Sequence, residues 1–313
     1  MADNEFTQQN RRHFIARGAA AAGAGLAAAT AVAQQGVERS VLVPSSKPSA
    51  PTPAEPLRLP EEIDEPQPLQ PVSAEGPAGP ILTPGATVLF QGDSITDARR
   101  QRGSAVPNDK SALGKGYAFL ATAELLIAYP DYGLQVYNRG ISGNKVPDLA
   151  ARWQADCLDL MPDVVSILIG VNDLWHRFTK GYQGTPESYL SGYRALIERT
   201  KASLPAAKLV LCEPFIFKVG KVDDKFFPAY DAYREAAESL AAEYADAWVP
   251  FMSMFQAATE IAPPEAWVPD GVHPSPAGSA LMASTWVRSV EAAGLASTPA
   301  AEPVEAVTYK QPA

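Results

Sequence analysis

The chain has 313 residues, 46% of them hydrophobic and 19% charged, with a formal net charge of −9. That is enough apolar material for a sizeable core, and the acidic balance, with no basic cluster beyond the first residues, argues against nucleic acid and anionic membrane surfaces as partners. Two cysteines and three histidines offer no zinc spacing, so neither a metal nor another cofactor is expected.

Residues 1–33 read as an export signal. Arg11 and Arg12 precede Phe14 and Ile15, an Ala/Gly-rich stretch begins at Gly18, and Ala31-Val32-Ala33 has the small-x-small form of a cleavage site. The apolar part is shorter and more weakly hydrophobic than the roughly 20 residues a membrane span needs. The reading is twin-arginine export of a folded bacterial protein to the periplasm or the medium, with cleavage or retention of the signal left open. Residues 34–85, with "PAEPLRLPEEIDEPQPLQP" at their centre, are a Pro-rich flexible linker, because proline fixes φ and removes amide donors. No later segment is apolar for long enough to insert in a membrane.

One domain is expected over residues 86–294. Its strand candidates are "TVLFQ" (87–91), "LQVYN" (134–138), "VVSILIG" (164–170), "KLVLCEP" (208–214) and "AWVPF" (247–251). Such near-continuous apolar runs suit parallel strands covered on both faces. Helical patterns fall between and after them, at 117–129, 147–160, 186–204, 230–245 and 275–293. The alternation predicts an α/β fold, a three-layer α/β/α sandwich around a five-stranded parallel sheet with right-handed crossovers. Cys157 falls in a helical pattern and Cys212 in a strand-like run, which leaves open whether they pair. Residues 295–313 read as a flexible tail.

In such a sheet ligands collect at the carboxyl ends of the strands, so the polar residues just beyond each strand carry the interest. These are Gly92-Asp93-Ser94, "NRGISGN" from Asn138, "GVNDLW" from Gly170, and "PDGVHPSPAG" near the end of the domain. Covalent ester hydrolysis needs a nucleophile, a base, a carboxylate that orients the base, and donors for an oxyanion. Ser94 at a strand-to-helix turn is the candidate nucleophile and His273 the base. Asp270, three residues before His273, can point the same way and hold the imidazole. The amides of Ser94 and Gly140 and the side chain of Asn172 are the candidate oxyanion hole, the glycine letting backbone approach closely. Asp93 and Trp175 are the candidate substrate contacts.

Each residue also has a plainer use. Asp93 and Ser94 can cap a helix, Gly140 can serve a turn, Asn172-Asp173 can open a helix with Asp173 fixing its loop, His273 can sit in a surface turn, and Trp175 can belong to the core. Taken singly, none decides.

In order and spacing, "GDSITD", "NRGISGN", "LIGVND" and "DGVHPSPAG" resemble the four sequence blocks of the SGNH hydrolase (GDSL esterase/lipase) superfamily over essentially the whole domain. The resemblance implies the SGNH variant of the flavodoxin-like sandwich. Its namesake residues correspond to Ser94, Gly140, Asn172 and His273, with Asp270 the accompanying aspartate. Longer stretches such as "PDVVSILIGVNDLWHR" are similar to the branch containing acetylxylan esterases. That branch implies an esterase for short, acetyl-type groups on saccharides, with Trp175 lining the acyl pocket. A lysophospholipase or thioesterase, or a carbohydrate-binding relative without the chemistry, is the alternative. The added signal and linker leave open whether copies of the chain assemble into an oligomer. No Gly-x-Ser-x-Gly occurs in the chain, so the nucleophile elbow of the α/β-hydrolases is absent.

Overall fold

The computed structural model describes residues 81–294. The expected export signal, nearly all of the Pro-rich linker and the tail lie outside the described residues. Five parallel strands stand in the order β2-β1-β3-β4-β5: β1 Thr87–Gly92, β2 Gln135–Asn138, β3 Val164–Leu168, β4 Lys208–Cys212 and β5 Ala247–Val249. All five residues of β3 are buried, as expected of a central strand with helices on both faces.

The helices are α1 Ser94–Asp97, α2 Lys110–Leu113, α3 Tyr117–Ala128, α4 Val146–Asp156, α5 Val171–Thr179, α6 Pro186–Ser203, α7 Ala229–Tyr244, α8 Phe251–Ala258, α9 Pro264–Trp267 and α10 Pro276–Ala292. One layer is built on α3 against α10 and the other on α4, α6 and α7. The periodicity explains the assignment: α7 buries Tyr230, Tyr233, Ala237, Leu240 and Ala241, one apolar stripe along its length. Chain chemistry marks the starts. Thr185 and Ser188 form a reciprocal cap before Pro186, and the Ser275 hydroxyl accepts from the Gly278 amide before Pro276. Phe90 of β1 packs its ring 4.9 Å from Trp286 of α10, and the Trp153 indole N–H of α4 donates to Thr200 Oγ1 of α6 at 2.9 Å.

The sandwich and its five strands agree with the sequence reading, while some boundaries move. Ile81 and Leu82 are 3% and 1% exposed and join the core, so packing begins inside the expected linker. The apolar run from 164 ends as a strand at Leu168, and the chain turns at Gly170 into α5. Cys157 and Cys212 are free and buried, and burial pushes both thiols up to about 12.

The strand order decides where a site can form. From β1 the chain crosses outward to β2 and then returns past β1 to β3, so connections leave the carboxyl ends of β1 and β3 in opposite directions. A crevice opens between them. Ser94 follows β1 and Asn172 follows β3. Gly92 keeps the two ends close: a Cβ there would lie 2.4 Å from both Leu168 O and Thr96 Oγ1.

Candidate active site

Ser94 is the first residue of α1. Asp93 caps that helix, its Oδ1 accepting the Ile95 amide at 2.9 Å. Asp270 and His273 lie between α9 and α10, where the Ser275 amide donates to Trp267 O at 2.7 Å and steadies the segment. The fold brings residues 179 positions apart into contact, with Ser94 Oγ 2.8 Å from His273 Nε2. On its other side His273 Nδ1 is 2.8 Å from Asp270 Oδ2. A carboxylate only accepts, so Nδ1–H donates to Asp270 and the Ser94 hydroxyl donates to the free Nε2. Asp270 Oδ1 also takes the His273 amide at 2.7 Å and the Val272 amide at 3.0 Å. Partial burial alone would raise the Asp270 carboxyl, but these bonds from His273 and Val272 outweigh it and hold the group below its usual range. Alcohol, imidazole and carboxylate thus stand in series, able to pass a proton from the first to the second.

The loop after β2 assigns its backbone donors differently from the sequence reading. Gly140, the expected second oxyanion donor, gives its amide to Asn138 Oδ1 at 2.9 Å. A Cβ there would come within 2.5 Å of Asp97 N, so the glycine serves the close approach of the loop to α1. In residues 139–146 the amides of Arg139, Ile141, Ser142, Asn144, Lys145 and Val146 are also taken, by Phe90 O, Gly92 O, Asp97 Oδ2, Ile141 O, Asp148 Oδ2 and the Asp173 carboxylate respectively. Among the described residues the Gly143 amide alone in this loop has no acceptor. Gly143 has φ +84, a conformation suited to glycine. Its neighbours reach both sides of the crevice, Ile141 through Gly92 O and Asn144 through its carbonyl, which accepts from Asn172 Nδ2 at 3.2 Å.

Arg152 of α4 holds this loop in place, and the sequence reading passed over it. Its Nε donates to Asn144 Oδ1 at 2.8 Å, while Nη1 donates to Arg139 O at 2.8 Å and to Asp156 Oδ2 at 2.9 Å. Nη2 reaches Gly92 O at 3.4 Å. Only the planar fork of arginine can serve so many acceptors at once. In sequence the residue reads as an ordinary i,i+4 partner of Asp156.

The crevice is a cleft of about 200 Å³ whose walls include Ser94, Asn172, Trp175, Lys221, Val272 and His273. Trp175 is half-buried and stacked on Phe226, ring centroids 4.8 Å apart, so it forms a fixed wall. Asp93, the other expected substrate contact, is 1% exposed and turned into the protein, because its oxygen is needed to cap α1. Burial pushes its carboxyl up to about 7, and burial does the same to Asp173, which holds the Val146 amide. A larger groove of about 420 Å³ between α4 and α6, walled by Val146, Ala150, Tyr182 and Leu196, is lined by no histidine or carboxylate.

The chain is similar to known proteins in sequence and in fold. A family model described as the GDSL-like lipase/acylhydrolase family matches residues 90–281. An acetylxylan esterase from Geobacillus stearothermophilus is 36% identical over 211 residues, covering 66% of this chain and 94% of that protein. A solved structure of a GDSL-like lipase from Parabacteroides merdae superposes with a TM-score of 0.66 at 45% identity, over 67% of this chain and 98% of that one. A solved Geobacillus stearothermophilus acetylxylan esterase gives 0.61 at 33% identity, over 66% and 95%. Structures of that esterase include catalytic mutants in which a serine, an aspartate or a histidine is replaced by alanine.

Proposed function

Because the chain belongs to the GDSL-like lipase/acylhydrolase family and is a carboxylic ester hydrolase, we propose that it removes short acyl groups, acetyl above all, from saccharides through a Ser94 acyl-enzyme. The observation that carries this reading is the 2.8 Å contact between Ser94 Oγ and His273 Nε2 in the wall of a cleft of about 200 Å³. His273 Nε2 takes the Ser94 proton as Oγ attacks the ester carbonyl. Asp270 stabilises the imidazolium that results. The oxyanion is held by the Ser94 amide, the Gly143 amide and Asn172 Nδ2, with Gly143 in the place the sequence suggested for Gly140. Nε2–H then protonates the departing sugar oxygen, leaving acyl-Ser94. A water that loses its proton to His273 attacks that ester, and the carboxylic acid leaves as Ser94 recovers its hydrogen.

The small cleft and the rigid wall of Trp175 on Phe226 favour short acyl groups over long ones. Acetate release from acetylated oligosaccharides, set against hydrolysis of acetyl and octanoyl nitrophenyl esters, tests the reading. We expect acetyl turnover that Ser94→Ala abolishes, and a preference for octanoyl would overturn the short-acyl assignment. A trifluoromethyl ketone adduct on Ser94 tests the oxyanion donors, its oxygen falling within hydrogen-bond reach of the Gly143 amide and not of Gly140. Export by residues 1–33 belongs to the same proposal, supported by Arg11, Arg12 and the Ala31-Val32-Ala33 site. Its test is a reporter fusion that stays in the cytoplasm when both arginines become lysine.

A further inference from the structure

Lys221 lines this cleft and has no ion-pair partner among the described residues, and its surroundings say which side of the substrate it meets. Three lysines lie in or beside the segment between β4 and α7. Lys218 pairs with Asp224 and Lys225 with Asp223. Lys221 is exposed, lines the cleft, and has no ion-pair partner among the described residues. The carboxylate that lines the cleft with it is Asp270, whose oxygens are already engaged by Val272 and His273.

The backbone at Lys221 is held against the residues that do the chemistry. Its amide donates to Asp270 O at 3.4 Å, and the Phe217 amide donates to Gly271 O at 2.9 Å. A Cβ on Gly220 would fall 2.7 Å from Asp270 Cα, so the two segments touch backbone to backbone. His273 Nε2 delivers its proton to the leaving oxygen, so the alcohol half of the ester has to lie along the segment that carries Asp270 and His273. Lys221 stands on the neighbouring segment, bonded through its amide to Asp270 O, on the side of the cleft where the alcohol half lies.

We propose that Lys221 selects esters whose alcohol half carries an anion, namely acetylated saccharides with a sugar carboxylate close to the esterified hydroxyl. Lysine suits this use as a flexible point charge that needs no fixed bidentate geometry. The proposal rests on the esterase reading above and adds the charge of the substrate to it.

The test uses a matched pair, the monoacetyl esters of methyl glucopyranoside and of methyl glucopyranosiduronate, at pH 7 and low ionic strength. The readout is the ratio of their kcat/KM values. For an exposed ion pair the wild type should favour the uronate by up to about fivefold, and the ratio should fall toward one as salt screens the charge. In Lys221→Ala the ratio should be near one, and in Lys221→Glu it should invert. A wild-type ratio of one or below overturns the selection while leaving the esterase reading intact, as does a ratio that neither substitution changes. Hydrolysis of neither ester overturns both.

Discussion

Replacing Arg152 by lysine separates the positioning of the proposed oxyanion loop from the chemistry itself. Lysine keeps the positive charge and can still reach Asp156, but its single ammonium cannot also serve Asn144 Oδ1 and Arg139 O, now bonded at 2.8 Å each. The long contact to Gly92 O at 3.4 Å adds little. Two partly buried acceptors then lose their donor, at about 1 to 1.5 kcal/mol each, or about 2 to 3 kcal/mol in all. For a domain of this size that is a fall in Tm of about 4 to 12 °C. Loosening Asn144 also loosens the acceptor of Asn172 Nδ2 and the neighbouring Gly143 amide. Turnover should therefore fall roughly tenfold at a temperature where the variant is fully folded, with KM for a neutral acetyl ester changing much less. Calorimetry together with steady-state kinetics on one preparation measures both. A variant as active and as stable as the parent would refute the tether. One that melts lower yet keeps its kcat would show that the loop does not need it for catalysis.

Asn172→Ala removes one of the proposed oxyanion donors, which should cost about 3 kcal/mol in the barrier, a loss of roughly a hundredfold in kcat in a protein that still melts cooperatively. His273→Ala should abolish turnover, whereas His176→Ala, which removes a buried imidazole near Gly143 but no group bonded to Ser94, should leave most of it; the reverse pattern in an acetate-release assay would refute the assignment. Asp93→Asn keeps an oxygen for the α1 cap but removes a carboxyl that burial lifts from 3.8 to about 7. Between those values the folded chain holds a proton that the unfolded chain has released, so Asp93 erodes stability as pH rises from about 4 to about 7. The asparagine variant should gain on the wild type at pH 8, by about 4 kcal/mol at most, and gain nothing at pH 4. Urea melts at the two values check the sign.

Much of the candidate site was legible because the chemistry proposed for it is carried by side-chain types. Serine, histidine and aspartate are needed as such, and Asp270 and His273 stand three apart, so the bond between them is almost local. Oxyanion donors that are backbone amides leave a weaker mark, since every residue but proline has one. Glycines at 140 and 143 look alike in the sequence. Only the accounting of acceptors separates them, Gly140 spending its amide on Asn138 and Gly143 keeping its own. Asp93, expected as a substrate contact, lies buried instead, for a related reason. A carboxylate just before a helix suits a cap and a cleft wall equally well until its burial is known.

From the order of amino acids alone came the alternation of apolar runs and helical stripes, and with it the parallel sheet, because periodicity and burial are properties of each segment taken by itself. The meeting of Ser94 with His273 across 179 positions and the place of Lys221 against Asp270 on the cleft wall were decided by tertiary structure. Each is a relation between segments distant in the chain, and such a relation exists only once the crossovers have carried those segments to the same edge of the sheet.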